Sequence, residues 1–289
     1  MHAPDLSAPA APPGDRPFGT TLLRTSLHAG GRVLQIDLDH GRANEMGSAA
    51  LDDWERITQG VACSDVCAVI TTSSRRSPKG TPLFISGADV TERVGWTDAQ
   101  VKAHVRRQRR VLADLRAIQA FHVAVVHGVA LGWGTELLIC CDYKLCTPEA
   151  RFGLPETGLG ILPGAGGSSE LWALIGPAQA LRLGMTGEQI GADEALRIGL
   201  VQEQHGDLAA ANARAHALAA LAATRSPTAL AAFKEALLHS IGAPPLERAE
   251  REARAYERCV DSGDAARGRA AFKQIQEGQA PAWGARARS

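Results

Sequence analysis

Two short apolar runs constrain this chain more than any other feature: VCAVIT at 66–71 and VAVV at 123–126. Neither alternates with polar residues, so each reads as a strand buried on both faces, as in a parallel sheet covered by helices. Residues 143–146 read as a further strand. Helical periodicity occurs at 48–60, through Leu51, Trp54 and Ile57. It returns at 98–118, with Thr97 or Asp98 as cap and Val101, Val105, Leu112, Leu115 and Ile118 as its apolar stripe. A helix opens within 131–140, near Thr135, after a cluster of glycines. This alternation implies an α/β core with right-handed crossovers. Upstream, 21–25 and 32–37 alternate around Ala29, Gly30 and Gly31, the pattern of a hairpin with a glycine turn.

Further helices are expected at 167–175, 177–185 and 192–198, the last ending at Gly199 as a C′ glycine. The C-terminal third is helical throughout, at 208–223, 227–240, 245–261 and 265–277. These helices carry more apolar surface than short crossovers need, so they are expected to cover the flank of the core and a subunit interface. The expected division is a flexible Ala/Pro-rich tail (1–18), an α/β core (19–205) and a helical region (206–289).

Composition narrows the function. Hydrophobic residues make up 45% of the chain, enough for a sizeable core. The 31 basic and 31 acidic residues cancel, which argues against a nucleic-acid partner. The basic residues of 102–110 fall largely between apolar positions and read as a solvated helix face. No run of about twenty apolar residues spans a membrane. The first residues lack an apolar signal core and contain no arginine before Arg16, so the expected location is cytoplasmic. The six cysteines show no C-x-x-C spacing and no accompanying histidine, so they are expected to be reduced thiols, with no metal site.

The chemistry concentrates in two carboxylates, Glu136 and Glu156, each set in a glycine-rich, otherwise apolar run. Carboxylates enter such surroundings when paired, hydrogen-bonded or used, and two facing one apolar pocket could divide acid and base work. Taken singly, Glu136 also reads as a helix-start acid and Glu156 as a loop acid held by Pro155. In FISGAD (84–89), a strand runs into Gly-Ala and leaves backbone N–H groups free to bind an anion or oxyanion. Residues 128–136 repeat that arrangement at a helix N-terminus. The run at 164–167 has no Gly-Lys-Ser/Thr after it, so it is not a P-loop. Neither a dinucleotide-binding fingerprint nor a G-x-S-x-G elbow is present.

Read together, these blocks resemble the enoyl-CoA hydratase/isomerase (crotonase) superfamily from about residue 21 to 284. FISGADV (84–90), HGVALGWGTELLICCDY (127–143), FGLPETGLGILPGAGG (152–167), MTGEQIGADEALRIGLV (185–201) and SPTALAAFKEAL (226–237) follow in the family's order. The resemblance implies a crotonase-like spiral of ββα units with a C-terminal helical region, assembled as a homotrimer or a hexamer of two trimers. It implies an acyl-CoA substrate and no cofactor beyond it. The N–H groups of Ala88 and Trp133 would form the oxyanion hole, flanked by substrate contacts at Ser86, Gly87, Asp89, Val90 and Gly132. Glu136 and Glu156 occupy the positions of the two catalytic glutamates of family hydratases, which favours hydration of a 2-enoyl thioester. In that reaction Glu136 would deprotonate the attacking water and Glu156 would protonate C2. Double-bond isomerases, and non-catalytic or RNA-binding members, are the alternatives within the family.

Three positions depart from the family pattern. Trp133 stands where glycine is common, and a bulky residue there is strained if its φ is positive. Its indole is expected either to pack in the core or an interface, or to cap the acyl pocket. His127 replaces a frequent asparagine and is expected to satisfy a backbone group. Arg267-Gly268 replaces a frequent Glu-Gly, which puts intersubunit pairing there in question. The acyl pocket is expected to be lined from 90–96 and from the start of the long helix.

Overall fold

The computed structural model describes residues 16–287, so residues 1–15 of the expected tail lie outside the described residues. Among the described residues, ten strands form two sheets. The larger has six, in the order β1 (Arg24–His28), β2 (Val33–Asp37), β3 (Ala68–Thr72), β5 (Phe121–Val126), β7 (Tyr143–Cys146) and β10 (Glu203–Gln204). The smaller has four, in the order β4 (Leu83–Ile85), β6 (Val129–Leu131), β8 (Arg151–Gly153) and β9 (Ile190–Gly191). Among these strands β1–β2 and β8–β9 pair antiparallel, and the other neighbours are parallel.

Chain order explains the architecture. Helix α1 (Ser48–Ala62) precedes β3; then β3 joins the large sheet, β4 the small one, and α2 (Asp98–Arg116) returns the chain. The same turn recurs as β5, β6 and α3 (Trp133–Cys140), and again as β7 and β8 followed by α4 (Leu171–Ile175) and α5 (Pro177–Thr186). Each ββα turn therefore adds one strand to each sheet, which makes the molecule a spiral. Helix α6 (Ala192–Arg197) follows β9. The chain closes with α7 (Leu208–Ala223), α8 (Pro227–Ser240), α9 (Pro245–Asp261), α10 (Asp264–Ala270) and α11 (Phe272–Gln276).

The apolar runs are strands because both faces are covered. Leu34, Ile36, Val69, Ala124 and Val126 join the main core with Trp54, Phe84, Trp133 and Phe152. Their neighbours Val33, Ile70, Val123 and Val125 face the other way, against Ala211, Ala215, Ala219 and Ala222 of α7. Successive strand side chains alternate between faces, so an unbroken apolar run fills two cores at once. The alanine stripe of α7 keeps that helix close to the sheet, and the covering layer of the core continues past residue 205. Helix α2 begins in a capping box, in which the Thr97 hydroxyl accepts from the Gln100 amide and the Gln100 side chain accepts from the Thr97 amide.

Three differences from expectation go beyond a shift of one or two residues at an end. The first strand is Arg24–His28 rather than 21–25, because the amides of Thr21, Leu22 and Leu23 all donate to the buried Asp53 carboxylate. The helix expected from residue 167 begins at Leu171. The last expected helix, 265–277, breaks at Ala271 into α10 and α11.

Candidate active site

In the small sheet, β4, β6 and β8 are parallel neighbours, so their C-terminal ends lie along one edge. Residues 86–90 leave β4 there, Gly132 and Trp133 leave β6, and Pro155 and Glu156 follow β8. Ligands of parallel sheets bind beyond such strand ends. A cavity of about 220 Å³ opens at this edge, and its walls include Ser86, Gly87, Ala88, Val90, Gly132, Trp133, Glu136 and Glu156. One expected contact is absent from those walls. Asp89 folds back to accept from the Thr91 amide and hydroxyl and from the Glu92 amide.

Glu136 projects from the first turn of α3 and is 3% exposed. Its Oε1 accepts from the amides of Ala165, at 2.7 Å, and Gly167, at 3.0 Å. Those two N–H groups are committed to the carboxylate, which ties the loop ahead of α4 to α3. Arg109 steadies the same loop by donating to the Gly164 carbonyl. Burial raises the Glu136 pKa, and the hydrogen bonds from Gly167 and Ala165 oppose that rise.

Glu156 is held differently. It lies in the short helical turn after Leu154, and its buried Oε2 has no hydrogen-bond partner among the described residues. Burial, opposed by its own backbone amide and reinforced by the nearby Glu136 charge, pushes its pKa up to about 7. Gly132 makes room for it: a Cβ on Gly132 would lie 2.5 Å from Glu156 Oε1, and Gly132 has φ +51.

Ala88 and Trp133, the residues expected to supply the two amide donors, both line this cavity. Trp133 is the first residue of α3, where a helix has no internal acceptor for its N–H. Across the site, the bridge between Met46 and Ala88 uses the Gly87 carbonyl and the Asp89 amide, leaving the Ala88 N–H outside it. The φ of Trp133 is not among the positive values, so the departure from glycine carries no backbone strain. Its indole is buried in the main core and lies 6.4 Å from the Trp54 ring. His127 bonds a side chain rather than the expected backbone group: its Nδ1 meets the Thr147 hydroxyl at 2.9 Å, and its Nε2 lies 3.3 Å from Arg76. Arg267 pairs within the chain, with Asp264 at 2.8 Å.

Further walls come from Arg93, Val105, Gln108, Leu159, Ile161 and Leu162. Val90 and Arg93 fall in the expected 90–96 stretch, and Val105 and Gln108 come from α2. The loop at 159–165 was missed in the sequence. Its signal was the run at 164–167, whose amides hold a carboxylate rather than a phosphate.

This ββα spiral, with its site at the ends of the small sheet, is the crotonase fold. A model of the family described as enoyl-CoA hydratase/isomerase matches residues 31–286, and the chain belongs to that family. It is 32% identical over 169 residues to a short-chain-enoyl-CoA hydratase of Clostridium acetobutylicum, covering 58% of this chain and 63% of the relative. It is 36% identical over 173 residues to a fatty acid oxidation complex subunit alpha of Idiomarina loihiensis, covering 59% of this chain and 23% of that one. The matches therefore span less than two thirds of either relative. The crystal structure of an enoyl-CoA hydratase from Bacillus anthracis superposes with a TM-score of 0.82 at 31% identity, covering 91% of this chain and 99% of that one.

Proposed function

We propose that this protein is a 2-enoyl-CoA hydratase, adding water across the C2–C3 double bond of an acyl thioester. The observation that carries this reading is the unequal pair of carboxylates on one cavity: Glu136 fixed by two amides, Glu156 buried with a free oxygen and a pKa near neutrality. The thioester carbonyl would accept from the N–H groups of Ala88 and Trp133. A water held between the glutamates attacks C3 and gives its proton to Glu136. The π electrons move toward C2, and negative charge gathers on the thioester oxygen facing the two amides. The protonated Glu156 delivers its proton to C2, and the charge collapses back into the thioester. The cycle leaves Glu136 protonated and Glu156 ionised, and exchange with solvent resets them.

The raised pKa of Glu156 supports its assignment as the acid, because a carboxyl near pH 7 holds a proton for part of the time. Glu136→Gln and Glu156→Gln are each expected to cut hydration by about two to four orders of magnitude with the thermal melt preserved. Near-native turnover in both variants would refute the mechanism. Product analysis on 2-enoyl and 3-enoyl thioesters separates hydration from double-bond isomerisation.

A further inference from the structure

The cavity that holds the glutamates contains a second polar group, made by Arg93 and Gln108. Gln108 is 4% exposed, lines the cavity, and its Nε2 has no hydrogen-bond partner among the described residues. Its Oε1 accepts only a long contact, 3.5 Å, from Arg93 Nη2. Arg93 is half-buried, and its Nε also lacks a partner among the described residues. The nearest acids are engaged elsewhere: Asp89 with Thr91, and Glu92 with Ser48 and His104. Among the described residues no carboxylate forms an ion pair with Arg93. Burial pulls its pKa down, a sign of incomplete solvation, with Glu92 and Asp89 opposing through space.

Unpaired buried donors are costly, and native proteins keep them where a ligand completes them. Here the free groups are all donors, one of them cationic, so their complement is an anionic acceptor. Val90, Val105, Leu159, Ile161 and Leu162 supply apolar wall in the same cavity, suited to methylenes. We infer that the preferred substrate is a short 2-enoyl thioester whose acyl chain ends in a carboxylate, bound by Arg93 and Gln108. This rests on the enoyl-thioester reading of the site and adds the class of acyl group to it. Arginine can hold both carboxylate oxygens in its planar fork, and the Gln108 amide adds a third donor.

The test compares 2-enoyl-CoA thioesters of matched length ending in carboxylate, carboxamide or methyl. The wild-type protein should favour the carboxylate by about tenfold or more in kcat/KM. Arg93→Met should lower that preference by roughly 10- to 100-fold, the range for a hydrogen-bonded charge, and Gln108→Leu by less. Calorimetry with saturated carboxylate-ended and methyl-ended acyl-CoAs reads the same preference without turnover. Loss of hydration with the binding preference intact would therefore sink the hydratase reading alone. Equal handling of carboxylate and methyl ends by the wild-type protein, in both turnover and binding, would overturn this inference, even if Arg93→Met failed to fold. Phosphate of the CoA moiety is the other anion Arg93 could meet. With pantetheine thioesters, which lack the nucleotide phosphates, the carboxylate preference should persist; its disappearance would assign Arg93 to phosphate and refute the proposal.

Discussion

At the scale of single residues, the two glutamates show how surroundings separate identical groups. Glu136 meets two amides and Glu156 Oε2 meets none, so burial dominates at Glu156 and its pKa reaches about 7. The consequence for stability has a definite sign. Unfolded Glu156 titrates near 4.5 and folded Glu156 near 7, so the folded state holds more proton between those values. Its contribution to stability is complete below pH 4.5 and is lost as pH rises through 7. Glu156→Gln removes the titration. The fall in melting temperature from pH 5 to pH 8 should therefore be larger in the wild-type protein than in the variant, by about 2–4 °C, or roughly 1 kcal/mol after allowing for solvent screening. Equal falls would show that Glu156 is ionised in the folded state at pH 5. Turnover carries the same signature: with Glu156 as the acid, kcat should decline as pH rises past about 7, and a rate rising through that range would reverse the roles.

Elements bring these residues together through the turn from β6 into α3. Gly132 adopts φ +51 and ψ −118, a combination that side chains oppose, and a Cβ there would meet Glu156 Oε1. Gly132→Ala is thus expected to cost about 1–3 kcal/mol in denaturant unfolding and to displace Glu156, the proposed proton donor, lowering kcat more than it raises KM. Unchanged stability and kcat would mean that the turn can relax without moving the carboxylate. Much of this layer was legible in the sequence. The strand Tyr143–Cys146 and the start of α2 depend on local patterns, apolar runs and a cap three residues from its partner. The failures were non-local. Asp53 lies about thirty positions from the amides it draws out of the first strand, and Glu136 reaches about thirty positions onward to the Ala165 and Gly167 amides. The glutamates themselves were legible because they stand in apolar, glycine-rich runs. Arg93 and Gln108 were not, since nothing in a helix or loop sequence reveals which donors lose their partners on folding.

For the whole molecule, the open question is what covers the C-terminal helices. Helix α7 lies on the large sheet and needs no other partner, whereas α9 contains no buried residue at all. Phe233, Leu246, Tyr256 and Phe272 are each at least 60% exposed, and Leu237 and Ile241 more than half. Large apolar side chains left at such exposure along the C-terminal helices are the kind that another chain buries. The terminus binds the other way, inward: the Arg286 amide donates to Asp65, its guanidinium to the Val61 and Val66 carbonyls, and the Ala287 amide to Thr228. Removing the last helices therefore strips both an outer apolar face and an inner clasp on the core. We expect light scattering to give a mass that is a multiple of three chains, as the family resemblance implies. A chain ending after Ser240 should dissociate or precipitate, because α8 loses α9 and the core loses Arg286. The two effects can be separated. Leu246→Glu with Tyr256→Glu leaves the clasp intact, so it should shift the mass downward with little change in the melt of the resulting monomer. A wild-type protein that is monomeric and active would mean that these apolar side chains serve some contact other than self-association.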